Sequence, residues 1–455
     1  MENSVKSRFF RVLLITLFVF SVARVLGFAY QFVQDSLQMD FAAFYTAGQS
    51  CKAGLSPYVN GMGQTPPVWD GFALLQHSRF LYPPLAARLF QPFAYMPYGV
   101  AKGVWTLLGL ICLGYALYLV MRSLWGSVRS QVALCVGIAA CWFHPVLTLL
   151  ERGQVDGVTL LLLVLCVIFA QKDKRRQLAG GGFLALATLL KLHCVYFLPF
   201  LILRKQWNVL FGFAGAGVLF ALFSLGIDGY DVNQDYVVKQ LPRIAVFGEG
   251  GTRDQMMSRE VIDPYAADLQ AGYATKGGIR YRQAAFGFVS SATLVDVVVP
   301  QQADGTRTSN PSSVSLGLLV VFGGAVLIWL QKAGMDRRGG FLDIWIVYVT
   351  MTTLVLLVSP TSWVMNVVWV LPGLCVLIKY WEENMAGAIS PFYMCVLGLL
   401  LAALPDHYSF YLLMPYGEIW LEYKYVIAEG LLLIGLLGMV PDRKMAQSGK
   451  PSGKR

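Results

Sequence analysis

One pattern recurs along most of the chain: runs of about 18–25 apolar residues with little charge, most of them bounded by short basic clusters. About 20 such residues match the hydrocarbon thickness of a bilayer. Inside hydrocarbon no water can pair with backbone N–H and C=O groups, so each run must close its own hydrogen bonds as a helix. The pattern predicts an all-α polytopic membrane protein. Composition agrees, with 56% hydrophobic and 14% charged residues, far from a soluble domain. The net charge of +10 does not point to nucleic acid. The cations fall at Lys6/Arg8/Arg11, Arg122/Arg129, Lys172/Lys174/Arg175/Arg176, Arg204/Lys205, Lys332/Arg337/Arg338 and in the tail from Arg443 to Arg455. They lie between apolar runs, as expected of cytoplasmic loops.

Anchoring those clusters inside gives a path of about twelve membrane segments with both termini cytoplasmic. Spans are expected near 12–30, 98–121, 131–149, 157–171, 208–227, 313–331, 341–358, 363–380, 389–405 and 423–440. The segment 180–205 has basic clusters on both flanks, so it must enter and return as two half-helices broken near Lys191–Cys194. Such breaks are tolerated where they line a cavity. Residues 1–440 then form a single membrane domain, with long outer loops about 31–97 and 228–312. Residues 441–455 form a polar cytoplasmic tail. "PLAARLFQPFAYMP", Pro84–Pro97, is too short and too Pro-rich to span and suits an interfacial helix. "AAFGFVSSATLVDVVVP" in the second outer loop is read the same way. The first run has no Ala-x-Ala cleavage site, so it reads as an uncleaved span.

Charge within or beside a membrane is expensive and faces a cavity or a partner. The groups that fall on the outer side are Asp40, Arg79, the hexapeptide Glu151–Asp156, Lys191 to His193, and Arg280 to Gln283. No metal-ligand cluster and no Asp-x-Asp is evident, and no cofactor is called for.

In order and spacing, five blocks resemble glycosyltransferase family 87. They are "MDFAAFYTAGQSCKAGLSPY", "FLYPPLAARLFQPFAYMP", "RGQVDGVTLLLL", "GGGFLALATLLKLHCVYFLPFLILRKQW" and "VSPTSWVMNVVWVLPGL". The resemblance covers roughly residues 38–375. It implies a GT-C membrane bundle that moves a sugar, often mannose, from a polyprenyl-phosphate donor. The acceptor would be a glycolipid or glycan at the outer face of the inner (plasma) membrane. Two places depart from the family pattern. Asp156 stands where the family usually has Asn, and Met365-Asn366 stand where it often has His.

A lipid-phosphate leaving group needs little acid catalysis, whereas the attacking hydroxyl must lose a proton. One carboxylate base and cations for the departing phosphate therefore suffice for an inverting transfer. Asp40, at the family's acidic position after the first span, is the expected base; the alternative is a cap for the following helix. Lys191 reads as a phosphate contact or as a cation for broken-helix carbonyls. Arg79 reads as a phosphate ligand or a solvated loop charge, and His193 as a site residue or a packed His. Gln154 reads as a sugar contact or a polar turn. Arg280 and Arg282 are placed above the site, Arg24 is expected to snorkel outward, and Tyr45 or Trp363 could stack on sugar. Pentosyl transfer, a lipid or sugar transporter or flippase, and an accessory membrane subunit are the rival readings. Charge concentrated on one face, without inverted repeats, favours the enzyme.

Overall fold

The structure, a computed structural model, describes residues 2–35, 38–58, 80–241, 317–332, 340–358, 364–383, 389–404 and 417–448. Regular structure in these residues is helical throughout. We number the α-helices α1 (Glu2–Asp35), α2 (Met39–Lys52), α3 (Pro84–Phe90), α4 (Tyr98–Trp125), α5 (Ser130–Trp142), α6 (His144–Arg152), α7 (Asp156–Phe169), α8 (Lys174–Leu190), α9 (Leu198–Leu203), α10 (Trp207–Asp235), α11 (Gly324–Lys332), α12 (Phe341–Val358), α13 (Pro372–Glu383), α14 (Ile389–Ala403) and α15 (Gly417–Ser448).

Five stretches are long and apolar enough to cross a membrane: Arg8–Gln34, Tyr98–Trp125, Trp207–Gln240, Phe341–Val358 and Val364–Glu383. The bent pair α5–α6 makes a sixth. The expected count of about twelve is not reached among the described residues. Part of the difference is geometric. The single run expected over 131–149 bends by 59° between α5 and α6, with Phe143 extended and Pro145 in the first turn of α6. A proline fits that first turn, where its missing N–H costs no helical bond. The run 363–380 likewise splits into a 3-10 turn, Val364–Val370, and α13, which starts at Pro372. The expected span at 341–358 is one helix, α12.

The predicted interruption near Lys191–Cys194 is present. α8 ends at Leu190, Lys191 is extended, and a 3-10 turn, Leu192–Phe197, leads into α9. α8 begins six residues earlier than expected because Asp173 accepts a hydrogen bond from the Arg176 N–H at 3.2 Å and caps it. The stretch Pro84–Pro97 forms α3 and a 3-10 turn, Gln91–Tyr95, both far too short to span. Helix α10 runs past its expected end through a kink at Gly229 to Asp235. There Arg88 of α3 pairs with Asp228 at 2.7 Å. The proposed interfacial helix in the second outer loop lies outside the described residues.

Burial separates centre from perimeter. Of the apolar windows, 83% of that in Phe341–Val358 is buried but only 6% of that in Trp207–Gln240. Leu219, Leu222 and Phe223 of α10 are exposed, an apolar face suited to lipid. Contacts between helices gather the basic clusters at one end. Trp345 at the start of α12 donates to Ser123 at the end of α4 at 2.6 Å. Glu382 of α13 accepts from Trp125 at 2.7 Å and from Arg129 at 3.0 Å.

Two glycines set how closely α8 and α10 approach. A Cβ at Gly181 would overlap the Val209 carbonyl, and one at Gly212 would overlap the Leu178 carbonyl. Small residues that let backbones meet are a recurrent device of membrane helix pairs. We expect Gly181→Leu to lower stability by about 1–3 kcal/mol or more, the scale of overpacking. Gly182→Ala, which meets nothing within 4 Å, should be near neutral. Thermal unfolding of the two purified variants side by side tests this; equal melting temperatures would refute the close approach.

Candidate active site

At the end of the bundle opposite the basic clusters, three chain breaks converge: the start of α2, the α6–α7 turn and the end of α8. Gln38 precedes α2 in a left-handed conformation, φ 50°. Its amide donates to Thr106 Oγ1 of α4 and to the Leu150 carbonyl of α6, each at 3.0 Å. That anchors the first turn of α2, which carries Asp40. The Asp40 carboxylate faces Arg152, the last residue of α6, in a two-pronged pair: Nε to Oδ2 at 2.5 Å and Nη2 to Oδ1 at 3.0 Å. Asp40 is 6% exposed and Arg152 5%, so each charge depends on the other.

The turn after Arg152 is tight. Gly153 is left-handed, φ 66°, and a Cβ there would stand 2.6 Å from Cβ of Phe41. Trp105 Nε1 donates to the Gly153 carbonyl at 2.8 Å. Two residues of connection, Gln154 and Val155, then lead to Asp156, the first residue of α7. This position favours a negative charge, since it lies at the positive end of the helix dipole. Asp156 is fully buried. Its Oδ1 accepts from Asn366 Nδ2 at 2.6 Å, and Lys191 Nζ stands 3.3 Å from Oδ2. Lys191 owes its position to the end of α8: its N–H still bonds back to Ala187 at 2.7 Å, while its extended backbone turns the chain away.

Tyr82, just before α3, connects the two ion pairs. It hydrogen-bonds with Gln154 and interacts electrostatically with Lys191, Asp40 and Asp156. Lys191 in turn interacts with Asp156, Tyr82 and Asp40. Desolvation, reinforced by the two carboxylates, pushes the Tyr82 phenol up to about 12, so it stays a neutral donor at neutral pH. Its ring lies 4.6 Å from that of Phe44, and Tyr58 donates to its carbonyl at 2.8 Å. Among the described residues, no group of three His, Cys, Asp or Glu side chains gathers where it could hold a metal ion.

Of the residues singled out from sequence, Asp40, Lys191 and Gln154 meet here, and His193 lies half-buried on the turn beyond Lys191, within its electrostatic reach. Arg79, Arg280, Arg282 and Trp363 lie outside the described residues. Several expectations are corrected. Asp40 is not a cap: Gln38 takes that position, without a side-chain cap bond, and Asp40 sits inside the first turn. The Lys191 ammonium goes to Asp156 rather than to broken-helix carbonyls. Arg24 does not snorkel freely. It donates to the Cys141 carbonyl at 2.9 Å near the α5–α6 bend and lies over the Trp142 ring. Tyr45 is a buried core aromatic whose hydroxyl donates to the Met96 carbonyl at 2.8 Å, not a free stacking platform. Sequence reasoning gave no role to Arg152, Tyr82 or Asn366. The only signals were position: Arg152 lies in the same hexapeptide as Gln154 and Asp156, and Tyr82 in the Tyr-Pro-Pro block.

The model of glycosyltransferase family 87 matches residues 80–360, more than half of the chain. The chain belongs to that family. It is a multi-pass membrane protein, as its apolar helices require. It is 34% identical over 90 residues to a polyprenol-phosphate-mannose-dependent α-(1-2)-phosphatidylinositol pentamannoside mannosyltransferase of Mycolicibacterium smegmatis, covering 20% of this chain and 22% of that one. It is 32% identical over 140 residues to a polyprenol-phosphate-mannose-dependent α-(1-2)-phosphatidylinositol mannoside mannosyltransferase of Mycobacterium tuberculosis, covering 28% and 32%. The chain thus spans about a fifth to a third of the length of these curated relatives. Among solved structures it resembles the apo oligosaccharyltransferase of Archaeoglobus fulgidus at TM-score 0.39 and 12% identity, over 92% of this chain and 56% of that one.

Asp156 and Asn366, which lie 210 positions apart, are thus joined by a direct side-chain hydrogen bond.

Removing one partner of a buried ion pair strands the other charge, at a cost of about 3–5 kcal/mol. Arg152→Ala should therefore lower stability on that scale, while the double variant Asp40→Leu/Arg152→Met recovers most of the loss. Unfolding curves in one detergent check both; a double variant as unstable as Arg152→Ala would contradict the pairing.

Proposed function

We propose that this protein is a glycosyltransferase that moves a sugar, mannose or another hexose, from a polyprenyl-phosphate donor to a glycolipid or glycan acceptor. The observation that carries the reading is the union at one end of the bundle of two buried carboxylates, two buried cations and a neutral phenol. The family supports it, and so do the names of the mycobacterial relatives.

In this mechanism the acceptor hydroxyl hydrogen-bonds to Asp40. The two-pronged grip of Arg152 uses one lone pair on each carboxylate oxygen, and a carboxylate has about four acceptor positions. As the acceptor oxygen bonds to the anomeric carbon, its proton passes to Asp40. The bond from that carbon to the phosphate oxygen breaks with its electron pair, on the opposite face, so configuration inverts. Polyprenyl phosphate leaves with an added negative charge. Lys191 is the cation for that charge, because its contact with Asp156, 3.3 Å, is longer than either contact of Arg152 with Asp40. Asp156 holds Lys191 in place, and Asn366 holds Asp156. Tyr82 and Gln154 supply neutral hydrogen bonds to sugar hydroxyls. Arg79 and Arg282 are assigned to the phosphate, and His193 to the donor side. The site opens at the outer face of the plasma membrane, with both termini on the cytoplasmic side, and 1–440 acts as one domain.

Asp40→Asn keeps the shape but cannot take the proton, so transfer should fall by about 10²–10⁴-fold, the usual worth of general-base catalysis. Lys191→Ala should raise KM as well as lower kcat, because it removes a contact to the donor phosphate. The assay is transfer from polyprenyl-phosphate mannose in membranes with matched expression. Asp40→Asn with near-native activity would reject the base, and an inactive native protein with this donor would reject the donor class.

A further inference from the structure

Gln38 is fully buried, and its backbone is left-handed, φ 50° and ψ 63°. Among the described residues, Lys205 is the other non-glycine residue with positive φ. In that region the Cβ of an L-residue crowds the carbonyl that follows, so the conformation suits glycine. Another residue persists there where its surroundings over-determine it. The side chain of Gln38 shows what does so. Its amide donates at once to Thr106 Oγ1 of α4 and to the Leu150 carbonyl of α6. Its own carbonyl accepts the first bond of α2, from the Ala42 N–H at 2.9 Å.

Both acceptors lie beside the other half of the Asp40–Arg152 pair. Leu150 stands two residues before Arg152 in α6. Thr106 follows Trp105, whose indole holds the carbonyl of Gly153, the residue after Arg152. Consecutive residues of α4 thus hold the two segments that carry the pair: Thr106 the Asp40 side, Trp105 the Arg152 side. Phe41 packs between them, its ring stacked on Trp105 at 5.7 Å and on Tyr98 at 5.9 Å.

From this we infer that Gln38 is a positioning residue of the transfer reaction: its amide sets Asp40 against Arg152 at the geometry in which Asp40 works as the base. The inference rests on the reading of Asp40 as that base. Gln38 acts through Asp40 and not on the reacting atoms. If the turn were the sole demand at this position, glycine would meet it without strain, so the function lies in the side chain. Arg152 is the charge in direct contact with Asp40. Lys191, Tyr82 and Tyr98 also interact with Asp40 electrostatically, and the Lys102 ammonium lies over the Tyr98 ring at 5.3 Å. Arg88 of α3 is taken up by Asp228. A cation held against a carboxylate keeps it ionised to lower pH. The placement of α2 therefore sets how far down in pH Asp40 remains a base.

The test uses the full chain in detergent and transfer from polyprenyl-phosphate mannose. Gln38→Met keeps the length of the side chain but donates nothing, and Gln38→Gly also relaxes the backbone. Both should lower kcat by about 10–100-fold, the scale of a small misplacement of a reacting group. KM for the donor should stay within about twofold, because the donor's own contacts remain. A loosened Arg152 lets Asp40 take a proton at higher pH, so the acid limb of kcat/KM should move up by about one pH unit. Native kcat with an unshifted acid limb in Gln38→Gly would overturn the inference. A second measurement needs no turnover. Gln38→Met should lower the melting temperature more in the native background than in Asp40→Leu/Arg152→Met, where no pair is left to position. An equal drop in both backgrounds would make Gln38 a fold residue only and overturn its positioning role. If Gln38→Met does not fold, Thr106→Val, which removes one of the two acceptors, takes its place, with the same directions and smaller shifts. An active Asp40→Asn would overturn the base and with it the part of Gln38 in transfer, while the melting comparison reports separately on the pairing.

Discussion

Asp156 has no exposed surface, and Lys191 beside it has almost none. A lone carboxylate or ammonium at such depth costs several kcal/mol even after local relaxation. Each of the two is tolerable there only because the other is present. Arg152 and Asp40 repeat the arrangement from neighbouring segments. The polar end of the bundle is therefore organised around paired charges whose partners come from parts of the chain as far apart as Asp40 and Arg152, or Asp156 and Lys191. Those pairs require the start of α2, the α6–α7 turn and the α8 break to meet at one place, and much of the helix packing serves that meeting.

The helices can hold that geometry because their ends are specified locally. Gly153 supplies a left-handed turn in contact with Phe41, which brings Arg152 and Asp156 to two sides of one short connection. Gly181 and Gly212 let α8 lie against α10 at backbone distance, fixing the helix whose last turn positions Lys191. Pro145 fits the first turn of the short α6 beyond the bend at Phe143, so that Arg152 ends a separate helix rather than continuing a straight span. A methyl group at the glycines would move a charge by a distance that matters, since a hydrogen-bonded ion pair tolerates only a few tenths of an ångström.

The two ends of the bundle divide the chemistry. Neutralised, buried charge lies at one end, where α2, α6 and α8 have their breaks. Solvent-exposed cations lie at the other, around Arg129, Lys172–Arg176 and Lys205, with Arg129 paired to Glu382 and Arg176 to Asp173. Helices such as α7 and α8, roughly 20–25 Å long at 1.5 Å per residue, link them.

The sequence by itself determined the class of structure. Apolar runs of bilayer length leave helices as the way to satisfy the backbone, and α12 falls where its run predicts, residues 341–358. Local chemistry also announced the break at Lys191 and the short, non-spanning Pro84–Pro97 stretch, because Pro content and flanking charge are local signals. Asp40, Lys191 and Gln154 were legible as candidates, since charge within apolar sequence is conspicuous. Their partners were not. Nothing local says that Arg152 faces Asp40 across 112 positions, or that Asn366 reaches Asp156 across 210. The sequence favours a base at Asp40 and leaves a cap as the alternative; Gln38 occupies the cap position. Pairing between distant residues is decided by which helix faces meet, and that depends on the packing of the whole bundle. The sequence names the charges that must be neutralised; only the tertiary structure chooses what neutralises them.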